Sequence, residues 1–159
     1  MIRRILLIGG SILALVACGD RSVTEEKVAD VAAAPKPATT LPRTDSIAGA
    51  SVFFITPADG ATVSNPVAIE FGIEGMTVVK AGDNQPASGH HHLLIDTELP
   101  NLALPIPADA QHIHFGDGST TTEVTLEPGE HQLQLLLGDH LHIPHNPPVV
   151  SDRITITVE

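Results

Sequence analysis

Pro128-Gly129-Glu130-His131-Gln132-Leu133-Gln134-Leu135-Leu136-Leu137 reads as a turn that launches a strand. Pro and Gly side by side break regular structure and turn the chain. After them Leu133, Leu135 and Leu137 recur at every second position and share a face with His131. That period of two belongs to a strand laid on a core. Downstream, Arg153-Ile154-Thr155-Ile156-Thr157-Val158 alternates in the same way, with Ile154, Ile156 and Val158 inward. Upstream, Thr120 to Leu126 is rich in residues of high strand propensity. Val67, Ile69, Phe71 and Ile73 alternate on one face, and Val52-Phe53-Phe54-Ile55 is a short apolar strand stopped by Thr56-Pro57-Ala58-Asp59-Gly60.

Met76 to Lys80 and His90 to Asp96 add two further strands, whereas Asn101 to Asp109, with Pro105 and Pro107, reads as an extended loop. About seven short strands separated by turn signals, with no strong helix among them, predict an all-β antiparallel sandwich, with an open barrel as the alternative. The order of elements resembles immunoglobulin-like or fibronectin-like modules. The predicted domain covers residues 49–159, and its first strand begins near Ser51.

The start of the chain is of a different kind. Met1-Ile2-Arg3-Arg4 is basic, and the apolar run from Ile5 to Ala17 is broken only by Gly9, Gly10 and Ser11. A membrane-spanning helix needs roughly 20 apolar residues, so the run is expected to be a signal peptide over residues 1–17. It ends Leu15-Val16-Ala17-Cys18, which resembles the lipobox of bacterial lipoproteins. The resemblance implies lipidation at Cys18 and a membrane attachment made by acyl chains. Gly19 follows Cys18, and the same resemblance implies an outer-membrane address facing the periplasm. Residues 18–48 read as a flexible tether: Val23 to Ala33 has the makings of a short helix, and Pro35, Pro37 and Pro42 favour extended spacing.

Composition excludes several functions. The formal net charge is −11, and past residue 50 the only Lys or Arg residues are Lys80 and Arg153. Nucleic acid, which is bound by neutralising phosphates, is not an expected partner. Anionic lipid headgroups are not expected to attract the domain either. Trp and Tyr are absent, against carbohydrate recognition by stacking. Cys18 is the only cysteine, so once lipidated it leaves no thiol for catalysis, metal ligation or a disulfide.

All nine histidines fall between His90 and His145. Imidazole is the commonest metal ligand near neutral pH, and residues two apart on a strand point the same way. His90 with His92, His112 with His114, and His140 with His142 therefore each form a same-face pair if extended, and His145 lies close behind. These seven are the candidate ligands. Zn²⁺ and Cu²⁺ accept such a set, whereas the single Met76 past the signal peptide argues against a Cu⁺ carrier built on soft sulfur. His91 shares the face of Leu93 and Ile95 and reads as structural. So does His131, expected to hydrogen-bond a loop. Asp96 and Asp139 are candidates to orient imidazoles, or are solvated turn residues. Phe115-Gly116-Asp117-Gly118-Ser119 lacks the spacing of an EF-hand loop and reads as a hairpin turn.

No catalytic residues emerge. There is no His-Glu-x-x-His, no Gly-x-Ser-x-Gly elbow, and Ser88 next to His90 in sequence is not a relay. Three segments carry a family resemblance: Ser88 to Asp96, His112 to Gly116, and Pro128 through Asp139 to the ending His142-Ile143-Pro144-His145-Asn146-Pro147-Pro148-Val149-Val150-Ser151. Together they resemble the bacterial domain of unknown function 4399, which implies an exported, often lipid-anchored domain and no established activity. The leading expectation is a non-enzymatic lipoprotein domain binding Cu²⁺ or Zn²⁺. The alternatives are an envelope interaction or scaffolding module with structural histidines, and a three-histidine zinc enzyme.

Overall fold

The computed structural model describes residues 41–159. The signal peptide, the lipidation at Cys18, the helix over Val23 to Ala33 and the tether up to residue 40 lie outside the described residues. Within them every regular element is a strand, as the alternating patterns predict.

Two sheets form. The smaller has the order β1 (Ser51–Thr56), β3 (Val67–Glu74), β7 (Thr121–Val124), all antiparallel. The larger has the order β2 (Thr62–Val63), β9 (Ile154–Val158), β8 (Gly129–Gly138), β5 (Ser88–Ile95), β4 (Thr77–Val78). β6 (His112–His114) also pairs with β5, beyond β4 along the same edge. Two short pairings, β2 with β9 and β4 with β5, are parallel, so the larger sheet is mixed rather than purely antiparallel.

The core lies between the sheets. Val52, Val67, Ile69 and Phe71 from the smaller sheet meet Leu93, Ile95, Leu133, Leu135, Leu137, Ile154, Ile156 and Val158 from the larger. These are the residues that the period-two patterns turn inward. Each such side chain contributes about 1.5–3 kcal/mol on burial.

β5 departs from a half-buried strand, because all eight of its residues are buried. Its second face is covered by a smaller apolar cluster in which Ile106, from the proline-containing loop, packs on Leu94 and Leu136, flanked by Leu102 and Val150. Leu136 is the one leucine of β8 out of phase with the core, and this cluster is its destination. Two local expectations are corrected. Residues 140–142 form a turn, with a left-handed backbone at His142 (φ 66°), so the same-face pairing that an extended chain would give His140 and His142 does not apply. The Gly116–Gly118 turn is not a hairpin: it carries the chain from β6 in the larger sheet to β7 in the smaller. Asp117 holds it by accepting from the Ser119 amide (3.0 Å) and hydroxyl (2.7 Å).

Candidate metal centre

The centre is built on the outer face of β5. His90 and His92 are two apart, so both project there, and in the ladder they lie opposite Gly138 and Leu136 of β8. On the other side of β5, His114 of β6 pairs directly with His92, which puts those two rings on the same face. His142 arrives from the turn after β8. The ring centroids stand 4.8 Å apart for His90 and His92, 4.9 Å for His90 and His114, and 4.9 Å for His90 and His142. His114 and His142 are 4.7 Å apart, and His92 lies 5.0 Å from His114. One ring nitrogen from each of His90, His114 and His142 falls within 4.8 Å of the others.

Two glycines make this packing possible. A Cβ at Gly138 would lie 2.8 Å from Cε1 of His92, and one at Gly116 would lie 2.3 Å from Cε1 of His114. Neither was singled out from sequence, although Gly116 follows His114 by two and Gly138 ends the leucine run. A glycine abutting a histidine pair was the available signal.

The site is graded in depth. His90 and His92 are buried, His142 is half-buried and His114 is exposed. Both nitrogens of His90 and Nδ1 of His92 are buried with no hydrogen-bond partner in the protein. Each such atom costs about 1–3 kcal/mol. Burial, reinforced by the neighbouring imidazoles His142 and His114, pulls the His90 pKa down to about 4. Burial and then His90, His114 and His142 pull His92 down to about 2. Burial and His142 also lower His114. The inner rings are therefore neutral at physiological pH and offer lone pairs rather than charge.

The other candidate ligands go elsewhere. His112 lies on the same face but beside Leu94, with Nδ1 donating to Asp109 (2.8 Å). His140 is half-buried in the turn and stays out of the group of contacting rings. His145 packs under Gly89, which faces the core side of β5, and its Nε2 donates to the Ser88 carbonyl (3.1 Å). His91 points into the main core and packs with its ring tilted against Phe71, centroids 4.9 Å apart. His131 donates to Asp96 (2.7 Å) and to the Glu127 carbonyl (2.7 Å). Those acceptors, Asp96 foremost, raise its pKa.

Asp96 thus serves His131, not the centre. Asp139 hydrogen-bonds none of the four rings but organises the turn that carries His142. Its Oδ1 accepts from the Leu141 (2.8 Å) and Ile143 (3.0 Å) amides, and its Oδ2 from the Thr44 hydroxyl (2.7 Å). Burial pushes this carboxyl up, but the hydrogen bonds from Thr44, Ile143 and Leu141 outweigh it and keep the pKa below the usual carboxylate range. Three clefts of about 440, 450 and 320 Å³ carry no histidine in their walls.

The sequence pattern of a family described as Domain of unknown function (DUF4399) matches residues 69–159, a span that holds β5 to β9 and all nine histidines. Comparison with curated proteins and with solved structures gives no match.

Proposed function

The chain belongs to the DUF4399 family, and we propose that it is a metal-binding domain whose outer β5 face takes up one Cu²⁺ or Zn²⁺ ion. His90, His114 and His142 supply the first three nitrogens and His92 the fourth. The observation that carries this reading is the convergence of one nitrogen from each of His90, His114 and His142 within 4.8 Å, His90 having both of its nitrogens buried without partners. Unpartnered nitrogens alone do not mark a ligand, since His91 keeps two of them against Phe71 in the core; what sets His90 apart is that three other imidazoles face it. A tetrahedral ion with bonds near 2.1 Å sets its ligand nitrogens about 3.4 Å apart, a contraction within reach of ring rotation and a small movement of the His142 turn. The donor set is all imidazole, which suits Cu²⁺ and Zn²⁺ and does not suit Ca²⁺ or Mg²⁺.

The domain holds its ion rather than transforming a substrate. Asp139 is committed to the turn by three hydrogen bonds and its pKa is held below the usual carboxylate range, which makes it a poor base. We further propose export and anchoring through the lipid on Cys18, a reading supported by the lipobox resemblance. Titration calorimetry and native mass spectrometry of the purified protein test the metal reading. One equivalent of Cu²⁺ or Zn²⁺ is expected, lost in the His90→Ala, His114→Ala double variant. The absence of stoichiometric metal would overturn it in favour of the interaction module.

A further inference from the structure

Turn 139–142 is held from a distance by the residues that lead into the domain. Thr44 donates its hydroxyl to Asp139 Oδ2 at 2.7 Å, across 95 positions of sequence. Arg43 Nε donates to the Pro144 carbonyl (2.9 Å), and its guanidinium also reaches the His145 carbonyl. The backbones of Thr44 and Ser46 exchange hydrogen bonds with Asn146 (2.9 and 3.2 Å). This strap, Arg43–Ser46, falls where the sequence reads as tether.

What the strap holds is a strained ligand. His142 sits at φ 66°, a left-handed conformation that a non-glycine residue keeps only when its surroundings over-determine it. Those surroundings are few. The His142 amide donates to the Asp139 carbonyl (2.9 Å), its carbonyl accepts from Ile106 (2.8 Å), and Asp139 clamps the flanking amides of Leu141 and Ile143. The carboxylate that does the clamping is itself oriented by Thr44. His90 and His92 need no such help, because they stand on a strand paired on both sides.

We infer that the strap Arg43–Ser46 is a positioning element of the metal centre, acting through Thr44 and Asp139 to keep His142 in place and so to set how fast the ion leaves. This rests on the metal reading above. Ligand loss would then begin at His142, the one donor not carried by a strand, and the anchor side of the chain would be mechanically joined to the ligand most easily withdrawn.

The test uses the full chain with Thr44→Val, which keeps the shape and removes the hydroxyl, and Thr44→Ser, which restores it. Two readouts are taken: amide hydrogen exchange at Leu141, His142 and Ile143 in metal-free protein, and release of Cu²⁺ or Zn²⁺ to a chelator. Thr44→Val is expected to speed exchange at those amides, leaving β9 unchanged, and to speed metal release about tenfold. Thr44→Ser should return both to wild type. Unchanged exchange at the turn overturns the inference whatever the metal does. Faster exchange with unchanged release overturns the coupling. Faster exchange in a protein that takes up no metal at all overturns the metal reading and, with it, the strap's role in release.

Discussion

His90 and His91 are consecutive on β5, both are fully buried, and both keep two ring nitrogens without a hydrogen-bond partner. They differ in the company they keep. His91 faces the main core, where the ring it packs against is Phe71. His90 faces three other imidazoles. The comparison separates two uses of one side chain. An isolated imidazole in hydrocarbon is a polar cost carried by good packing. Several converging imidazoles share that cost and form a donor set that one cation can satisfy at once.

The sharpest way to break the comparison is to replace each in turn with leucine. His90→Leu should weaken Cu²⁺ or Zn²⁺ binding beyond the ~10–100-fold typical of losing a supporting group, as read by calorimetry. His91→Leu should leave the affinity unchanged. Equal losses in both would mean that the two faces are not functionally distinct.

Acid should act on both faces alike. His90 and His91 titrate near 4 in the folded protein, and His92 near 2, against 6.5 for a free imidazole, with burial the first cause in each. Between pH 6.5 and about 4 the unfolded chain therefore takes up protons that the folded chain refuses. Their contribution is complete above pH 6.5 and is lost as the pH falls through that window, a decline on the order of several kcal/mol. His131 has the opposite sign, because its raised pKa stabilises the acid side. Urea denaturation of metal-free protein from pH 7 to pH 4 measures the balance. A flat profile would contradict the burial of the neutral rings.

The glycines sharpen the difference between the inner and outer ligands. Gly138→Ala drives a methyl group into the immobile His92 ring and is expected to cost about 1–3 kcal/mol in denaturant midpoint. Gly116→Ala meets the exposed His114 ring, which can swing away. It should cost under about 1 kcal/mol of stability while still weakening metal binding. On the core side, His91→Leu is expected to raise stability by about 1 kcal/mol, since two unsatisfied buried nitrogens disappear. A loss of several kcal/mol there would show that the His91 ring is held by more than packing.

Much of the fold was legible. Leu133, Leu135 and Leu137, then Ile154, Ile156 and Val158, then Val67, Ile69 and Phe71 each announce a strand and its inner face, because period two is a property of the backbone. The same rule put His90 with His92, and His112 with His114, on common faces. It did not reach His142, whose place depends on a left-handed turn and a carboxylate clamp, because its pairing of His140 with His142 held only for an extended chain. Nor did it say that the outer face of β5 is closed by Ile106.

Alternation along single strands thus determined, from sequence alone, that the described domain is all-β, which strand side chains enter its core, and that His90 and His92 face away from it while His91 faces in. The tertiary structure alone decided which of the outward histidines meet. Convergence depends on which strand lies beside which, in what register, and on where a turn after β8 is pinned. Those are set by contacts between residues far apart in the chain, such as His92 with His114 and Thr44 with Asp139, and no local pattern encodes them.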